Sequence, residues 1–357
     1  MTFFSGAYST LLQICAVLFG LGLLIFIHEL GHFAMAKFYK VRVLKFAFGF
    51  GKELFGFTRG ETRYSICLFP FGGMVAMAGE NPDEASGQEG EYLSLAWYKK
   101  IMIAFLGPLM NYILAIFLFA FCFSLWGITT VSDEAFIGAL APEQCAQKAG
   151  LQVGDRILSI AGVEVRNWED IINNLKDKAE KQTDVSVLRN NEKLDFSFVI
   201  DKNPNTGIGM LGIQPKITRE EVPFFKTLPL GLQTAIFQST FTLVYLWDRI
   251  VTWEKPELAG PIGVMQVMAK SAKSGMESYI KLLAVISVAL GLFNLLPIPL
   301  VDGGMIVLFL VEGLIRKRVS LKIIQVYNTI GLSIILVIFL FATYSDLIRL
   351  GIGKLFQ

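Results

Sequence analysis

Four long apolar stretches constrain this chain more than any other feature of its sequence. They cover residues 7–38, 101–126, 279–296 and 327–348. A helix needs about 20 such residues to cross the hydrocarbon core of a bilayer. Hydrophobic residues make up 54% of the chain and charged residues 17%, which is too apolar for an ordinary soluble protein of this length. The sequence therefore predicts a polytopic membrane protein with four transmembrane helices.

Basic residues predict the orientation of these helices, because cytoplasmic loops carry an excess of Lys and Arg. The first basic residue is Lys37, at the end of the first stretch, so the N-terminus has no signal-peptide character and should be retained. Further Lys and Arg residues cluster between the first and second stretches, and again over 316–322. Both termini are thus expected outside the cytoplasm. The net charge of +2 offers no support for a nucleic-acid partner.

Two further segments are membrane-associated without being predicted spans. Residues 231–250 are apolar but interrupted by polar side chains, which favours an amphipathic helix on or partly in the membrane. Residues 42–80 are rich in Phe and Gly, with a turn signal at 58–61. We expect a β-hairpin dipping into the cytoplasmic side, since non-helical backbone is tolerated there only against protein or a water-filled cavity.

Residues 132–216 have the charge density of a soluble domain. Short alternating strands occur at 185–188 and 194–200, and a helix capped by Asn167 is expected from Trp168. This segment predicts one small α+β domain outside the cytoplasm. The four cysteines, at positions 15, 67, 122 and 145, have no C-x-x-C spacing and indicate neither disulfides nor a cysteine metal site.

An H-E-x-x-H motif lies inside the first apolar stretch and contains the chain's two histidines, His28 and His32. On a helix, side chains four residues apart share a face, so both imidazoles can reach one zinc ion. Glu29 lies about 100° around the helix and is free to act as a general base. The motif predicts a zinc hydrolase set in lipid.

A catalytic zinc site needs a third protein ligand. With no other histidine, it must be a carboxylate or, less plausibly, a cysteine. Asp302 is the best candidate, because an ionisable group at membrane depth is costly and usually functional. Pro297 and Pro299 should break the helix before it, and Gly303 and Gly304 permit tight backbone geometry. Both metal-binding segments meet on the cytoplasmic side only if 231–250 does not cross the membrane.

Together these motifs resemble the bacterial site-2 proteases of the regulator-of-sigma-E type. The resemblance covers essentially the whole chain. It rests on five runs of sequence: 28–32, 49–51 with 70–73, 107–108 with Asn111, 294–304 and, more weakly, 260–263.

The resemblance implies one zinc ion held by His28, His32 and Asp302, with Glu29 as general base. It implies substrate contacts at Asn294, which the family uses to hold substrate, at Gly72 and Gly73 in the hairpin, and at Pro297 and Pro299. Gly107, Pro108 and Asn111 are expected to be structural residues near the site; for Asn111, helix packing is favoured over a catalytic role. The family commonly has Leu where this chain has Val301, and often His where it has Met305.

Residues 149–158 resemble a circularly permuted bacterial PDZ domain, and the chain has room for one. Its peptide-binding edge is expected near 136–139, where backbone amides could receive a peptide C-terminus. Gating of access by size is an equally open function for this domain.

The expected segments are the H-E-x-x-H helix (1–41), hairpin and linker (42–96), second transmembrane helix (97–127), PDZ domain (132–216), amphipathic region (217–277), third transmembrane helix with the Asp ligand (278–304), cytoplasmic loop (305–326), and fourth transmembrane helix with the C-terminus (327–357). The resemblance implies intramembrane cleavage of single-span proteins in a bacterial inner membrane, with the active site near its cytoplasmic side. Substrates would be transmembrane helices, such as an anti-sigma factor after a first cut or remnant signal peptides. Two alternatives are a membrane-anchored PDZ scaffold with a dead metal site and a metal transporter.

Overall fold

The computed structural model describes residues 2–203, 207–252 and 260–350, with side chains from residue 11 onward. The C-terminal residues 351–357 and part of the predicted amphipathic region, 253–259, lie outside the described residues. The helices are α1 (Thr2–Phe38), α2 (Trp97–Trp126), α3 (Cys145–Lys148), α4 (Trp168–Leu175), α5 (Phe224–Val251), α6 (Pro261–Ser274), α7 (Met276–Asn294), α8 (Asp302–Ile315) and α9 (Leu321–Arg349). The strands are β1 (Val43–Arg59), β2 (Thr62–Met77), β3 (Ile128–Val131), β4 (Ile137–Leu140), β5 (Arg156–Ile160), β6 (Val163–Glu164), β7 (Gln182–Arg189), β8 (Glu192–Val199), β9 (Asp201–Lys202), β10 (Gly209–Met210), β11 (Ile213–Pro215) and β12 (Ile217–Glu220).

The four predicted transmembrane helices are confirmed as helices that are long and apolar enough to cross a membrane. Within the described ranges these are Leu11–Phe38, Trp97–Trp126, Met276–Asn294 and Leu321–Arg349. The region predicted as amphipathic forms the 28-residue helix α5, which is not among the four.

The predicted hairpin forms, but it is folded back on itself. The turn joins Arg59 to Thr62, yet residues 43–48 pair on one side with 73–77, and residues 45–48 pair on the other side with 63–66. Gly49 and Gly51 allow this bend, since both have positive φ values (86° and 85°) that side chains disfavour. The result is four strand segments with residues 73–77 at one margin. We call residues 73–77 the edge segment.

The segment predicted over 278–304 contains the end of one helix and the start of the next. The span expected over 279–296 ends at Asn294 of α7, and α8 begins at Asp302 and extends into the segment predicted as a loop, 305–326. Gly303 and Gly304 explain the fold of the connecting turn. A Cβ on Gly303 would lie 2.3 Å from the Leu296 carbonyl oxygen, and one on Gly304 would lie 1.9 Å from that of Ile298. Only glycines let the turn pack against the start of α8.

A buried ion pair joins α2 to α8. Lys100 Nζ lies 2.7 Å from Glu312 Oε1 and 4.5 Å from the centre of the Phe309 ring. The Lys100 side chain is 2% exposed and that of Glu312 is 6% exposed. Lys100 is one of the basic residues between the first two spans on which the predicted orientation rests. In the structure it also holds α8, because a buried charge requires a partner.

The weakest of the family-like runs, residues 260–263, also has a structural role. Asp346 of α9 accepts hydrogen bonds from the backbone N–H groups of Gly260 (3.1 Å) and Gly263 (2.8 Å). A side chain at Gly260 would place its Cβ 2.5 Å from the Asp346 carboxylate. The carboxylate therefore caps the N-terminus of α6, where it complements the helix dipole.

Residues 126–222 form a separate compact unit with its own core. A four-stranded sheet of order β6-β5-β7-β8 packs with α4 around buried aliphatic residues such as Ile157, Ile171 and Val187. The predicted cap is present, because Asn167 accepts from the Asp170 N–H in a capping box.

The backbone predicted to receive a peptide, residues 136–139, is already engaged. The strand β4 pairs with β11, and the Ile137 N–H donates to the Asp155 carbonyl at 2.8 Å. A Cβ on Gly138 would lie 2.3 Å from the Pro215 carbonyl oxygen. The structure does not support peptide capture at this edge, since an incoming chain end would first have to displace β11.

The stability of this unit should depend on pH through Asp155. Its carboxylate is 1% exposed and accepts two bonds of 2.7 Å from Arg189. Burial raises the pKa of Asp155, but the hydrogen bonds from Arg189 and from the Gln152 N–H outweigh it, and the pKa is lowered. A lowered folded-state pKa adds stability above the unfolded pKa of about 3.9 and loses it as the pH falls further.

We expect amide exchange in β7 of the full chain to accelerate below about pH 4 relative to intrinsic rates. The variant Asp155→Asn should lose about 2–4 kcal/mol at pH 7 and show a flatter acid response, because it leaves Arg189 without its charge partner. An unchanged acid response in Asp155→Asn would contradict this assignment.

Candidate metal centre and active site

Three side chains converge near the C-terminal end of α1, which the sequence predicts to be its cytoplasmic end. His28 and His32 lie one turn apart on α1, and Asp302 opens α8. Their ligand atoms all lie within 4.8 Å of one another. Both histidines are 9% exposed. The structure thus brings together the three residues that the sequence proposed as ligands.

The donor geometry fits a tetrahedral zinc site. Donors held about 2.0–2.1 Å from a tetrahedral zinc lie about 3.3 Å apart. Here His28 Nε2 lies 3.1 Å from His32 Nε2 and 3.1 Å from Asp302 Oδ2. His32 Nε2 lies 3.4 Å from Asp302 Oδ1. Three donors leave one position open, as catalytic zinc sites do.

The tertiary fold orients His32 through α2. His32 Nδ1 lies 2.8 Å from the Ile103 carbonyl oxygen, which requires Nδ1 to carry the proton and leaves Nε2 free for a metal. Gly107 gives the ring its space, since a Cβ there would lie 2.3 Å from His32 Nε2. Pro108 lies inside α2 and removes one helical hydrogen bond. The predicted structural role of Gly107 therefore has a direct steric reason.

The sequence favoured a helix-packing role for Asn111. In the structure the residue also contacts a candidate metal ligand. Its side-chain amide lies 3.2 Å from His28 Nδ1, and the residue is fully buried. If His28 binds a metal through Nε2, its Nδ1 carries a proton and needs an acceptor. The Asn111 Oδ1 atom is buried with no hydrogen-bond partner among the described residues. An amide rotated by 180° presents this oxygen to His28, which satisfies both groups.

Glu29 contacts the edge segment and lines the same cavity as His32 and Asp302. Its Oε2 accepts the Val75 N–H at 3.2 Å. Gly73 allows this contact, because a Cβ there would lie 3.1 Å from Glu29 Cγ and 3.2 Å from the Phe26 Cα. Gly72, with φ of 123°, packs against Ile25. These two glycines, predicted to touch substrate, bring the edge segment onto α1.

A cavity of about 190 Å³ joins the edge segment to the metal donors. Glu29, His32, Val75, Met77 and Asp302 are among its lining residues. Glu80 and Asn328 also line it, and neither stood out in the sequence. Glu80 accepts the Met77 N–H at 3.1 Å.

The chain matches peptidase family M50 over residues 16–338. It belongs to this family, the site-2 proteases. A relative from Rhizobium meliloti that carries the provisional name of a zinc metalloprotease is 32% identical, over 92% of this chain and 95% of its own length. The zinc metalloprotease RasP of Bacillus licheniformis is 27% identical over 92% and 97%. The regulator of sigma-W protease RasP of Bacillus subtilis is 28% identical over 92% and 96%.

Among solved structures, the PDZ domain of an SdrC-like protein from Listeria monocytogenes matches 25% of this chain and 93% of its own length, at 15% identity and a TM-score of 0.22.

Membership in the M50 family makes this protein a zinc metalloprotease and a membrane protein. The scaffold and transporter alternatives lose their support. The donor set of His28, His32 and Asp302 fits the family's metal by residue type, by spacing and by the proton on His32 Nδ1.

The remaining predicted site residues lie at the end of α7 and just beyond it. Asn294 is the last residue of α7 and is half-buried. Pro297 and Pro299 lie in the turn to α8, where Leu300 adopts a left-handed φ of 79° that turns the chain before Asp302. Their contact with substrate remains a prediction. The helix break expected from the two prolines is present.

Proposed function

We propose that this zinc metalloprotease cleaves transmembrane segments of single-span proteins within the membrane. The observation that carries the proposal is the position of the metal donors. His28 and His32 lie inside a helix of membrane length, and the cavity beside them is bordered by a strand edge. An extended peptide can bind that edge with its scissile bond next to Glu29 and the donors.

The same geometry supports an active site near the cytoplasmic side. His28 and His32 lie in the C-terminal half of α1, and Asp302 follows the C-terminal end of α7. Their convergence supports a topology in which these two helix ends lie on one side of the membrane. The basic residues between the first two spans assign that side to the cytoplasm. Both termini and the segment from 132 to 216 are then outside.

The chain's own residues supply the steps of the reaction. A substrate segment unwinds and pairs with the edge segment by strand addition, as extended peptides do at exposed sheet edges. Asn294 and the turn containing Pro297 and Pro299 hold the other side of the backbone. His28, His32 and Asp302 would hold the zinc ion, which when bound would polarise the scissile carbonyl and lower the pKa of a bound water. Glu29 takes a proton from the attacking water and returns it to the leaving amine.

The rings of His28 and His32 are each oriented by a hydrogen-bonding group of α2. The Ile103 carbonyl and the Asn111 amide fix the ring orientations, and such contacts typically change metal affinity or activity about 10- to 100-fold.

The proposed substrates are membrane proteins already shortened outside the cytoplasm. The relative from Bacillus subtilis is named a regulator of a sigma factor. For this chain we propose an anti-sigma factor after its first cleavage, or remnant signal peptides. The unit of residues 126–222 is proposed to be a single PDZ domain that admits substrates by size, because the backbone expected to bind a peptide is paired with β11.

Mapping the products of a synthetic transmembrane peptide tests the proposal. Purified full-length protein in detergent should cut the peptide within its apolar segment, and mass spectrometry should locate the cut. A zinc chelator should abolish cleavage, and added zinc should restore it, because the donors hold the ion that polarises the carbonyl. Cleavage confined to the polar flanks of the peptide would contradict an intramembrane protease.

A further inference from the structure

The edge segment has two backbone donors that point away from its partner strand. Alternate residues of a strand direct their N–H groups to opposite edges. The Ala78 N–H donates to the Arg42 carbonyl at 2.9 Å, on the paired side. Val75 and Met77 have the opposite parity, so their N–H groups face the free edge, where the cavity lies. No other strand pairs there within the part of the chain that the structure describes.

Both of these donors are occupied by carboxylates. Glu29 accepts from Val75 at 3.2 Å and Glu80 accepts from Met77 at 3.1 Å. An added strand pairs through donors two residues apart, which are the same two N–H groups. Glu29 has a separate reason to lie there, because it is the proposed base. Glu80 comes from neither α1 nor α8, and the mechanism above does not use it.

We propose that Glu80 is a built-in, reversible occupant of the substrate-binding edge. In the free enzyme its carboxylate holds the Met77 N–H. On binding, a backbone carbonyl of the extended substrate takes that N–H and Glu80 turns away. This inference rests on the proposed function, because it assumes that substrate pairs with the edge segment.

The local structure allows Glu80 to leave without disturbing the strand. Gly79, with φ of 63°, turns the chain just after the edge segment, and the Glu80 N–H itself donates to the Met77 carbonyl at 3.3 Å. The side chain is exposed to the cavity. Release of the side chain therefore requires a rotamer change and the loss of its hydrogen bond with Met77, and no movement of the strand.

Occupation of the edge should make the enzyme selective for substrates that unwind readily. A helical segment keeps its carbonyls in its own hydrogen bonds and cannot compete with Glu80. A segment with helix-breaking residues presents free carbonyls and can. Glu80 thus raises the threshold for binding and acts as a positioning and specificity residue.

Binding measured without cleavage tests the inference. The probe is a fluorescent synthetic transmembrane peptide with a central Gly-Pro pair, which wild-type protein should cut. Its Kd is measured for full-length Glu29→Gln and for Glu29→Gln/Glu80→Ala in the same detergent. We expect the second protein to bind about 3- to 10-fold more tightly, because one hydrogen bond no longer has to be exchanged. Glu80→Gln should give a smaller gain, since a neutral amide is a weaker occupant.

Hydrogen exchange at Met77 supplies a readout that a simple turn-stabilising role would not produce. In Glu29→Gln the Met77 amide should be protected with and without peptide. In Glu29→Gln/Glu80→Ala it should exchange fast alone and slowly with peptide bound. The matched control is Glu89→Ala, an exposed glutamate of the same linker, which should change neither quantity.

An unchanged or larger Kd in the Glu29→Gln/Glu80→Ala protein would overturn the inference. So would a Met77 amide in that protein whose hydrogen exchange is not slowed by bound peptide. If Glu80→Ala does not fold, as judged by zinc content, Glu80→Gln decides by the same criterion. Wild-type protein that cuts the peptide while these tests fail refutes the role of Glu80 alone. Wild-type protein that does not cut the peptide refutes the proposed function itself.

Discussion

Replacing Glu29 by glutamine is expected to lower kcat for a transmembrane peptide by about 1,000-fold or more and to leave zinc content near one ion per chain. Glutamine has the same shape, so its carbonyl oxygen can still accept the Val75 N–H that Glu29 accepts at 3.2 Å. It cannot take a proton at neutral pH. The loss should therefore fall on kcat, with peptide affinity nearly unchanged. Single-turnover cleavage by the purified full-length protein measures the rate of the chemical step, and metal analysis measures its zinc content.

The control for this prediction is Glu89→Gln, which makes the same chemical change at an exposed position of the linker. It should cleave at the wild-type rate. A Glu29→Gln protein that keeps full zinc and more than a tenth of the wild-type kcat would remove Glu29 from the role of base. Glu80, which lines the same cavity, would then be the next carboxylate to test.

Replacing Asp302 by alanine is expected to abolish cleavage by removing zinc. Apparent binding free energies of about 10–16 kcal/mol for four-ligand zinc sites correspond to roughly 2.5–4 kcal/mol per ligand. Loss of one of three protein ligands should therefore weaken zinc binding by roughly two to three orders of magnitude. Competition with a chromogenic chelator measures this affinity directly. Raising the zinc concentration should restore little activity, because the remaining two histidines no longer fix the geometry.

The fold of α8 should survive this change. The helix is held independently by the Lys100–Glu312 pair and by the Tyr327 hydroxyl, which donates to the Gly304 carbonyl at 3.0 Å. Far-ultraviolet circular dichroism should match that of wild type. Wild-type zinc affinity in Asp302→Ala would show that another group is the third ligand.

The large features of the membrane unit followed from local patterns. An apolar run of about 20 residues specifies a membrane-length helix almost regardless of its neighbours. The i, i+4 spacing of His28 and His32 places both on one helix face. Asp302 could be selected because a carboxylate at the end of such a run, beside two prolines and two glycines, is costly at membrane depth unless it binds a partner.

The contact partners that position these residues could not be predicted from local sequence patterns. Asn111 lies 83 residues from His28, and Lys100 lies 212 residues from Glu312. Neither partner is specified by spacing, since each contact depends on how closely two helices approach. Gly107 permits such an approach for His32. The close packing of Gly303 and Gly304 at the start of α8 on the turn before it is a contact of the same kind.

The H-E-x-x-H helix, four helices of membrane length, the hairpin and the candidate third ligand followed from the sequence itself, because periodicity and motif spacing act over a few residues. Tertiary structure decided which backbone donors face the cavity. The strand register leaves the N–H groups of Val75 and Met77 unpaired with any strand and places Glu29 and Glu80 upon them. A register is a long-range property of two paired segments, and shifting it by one residue would reverse every donor.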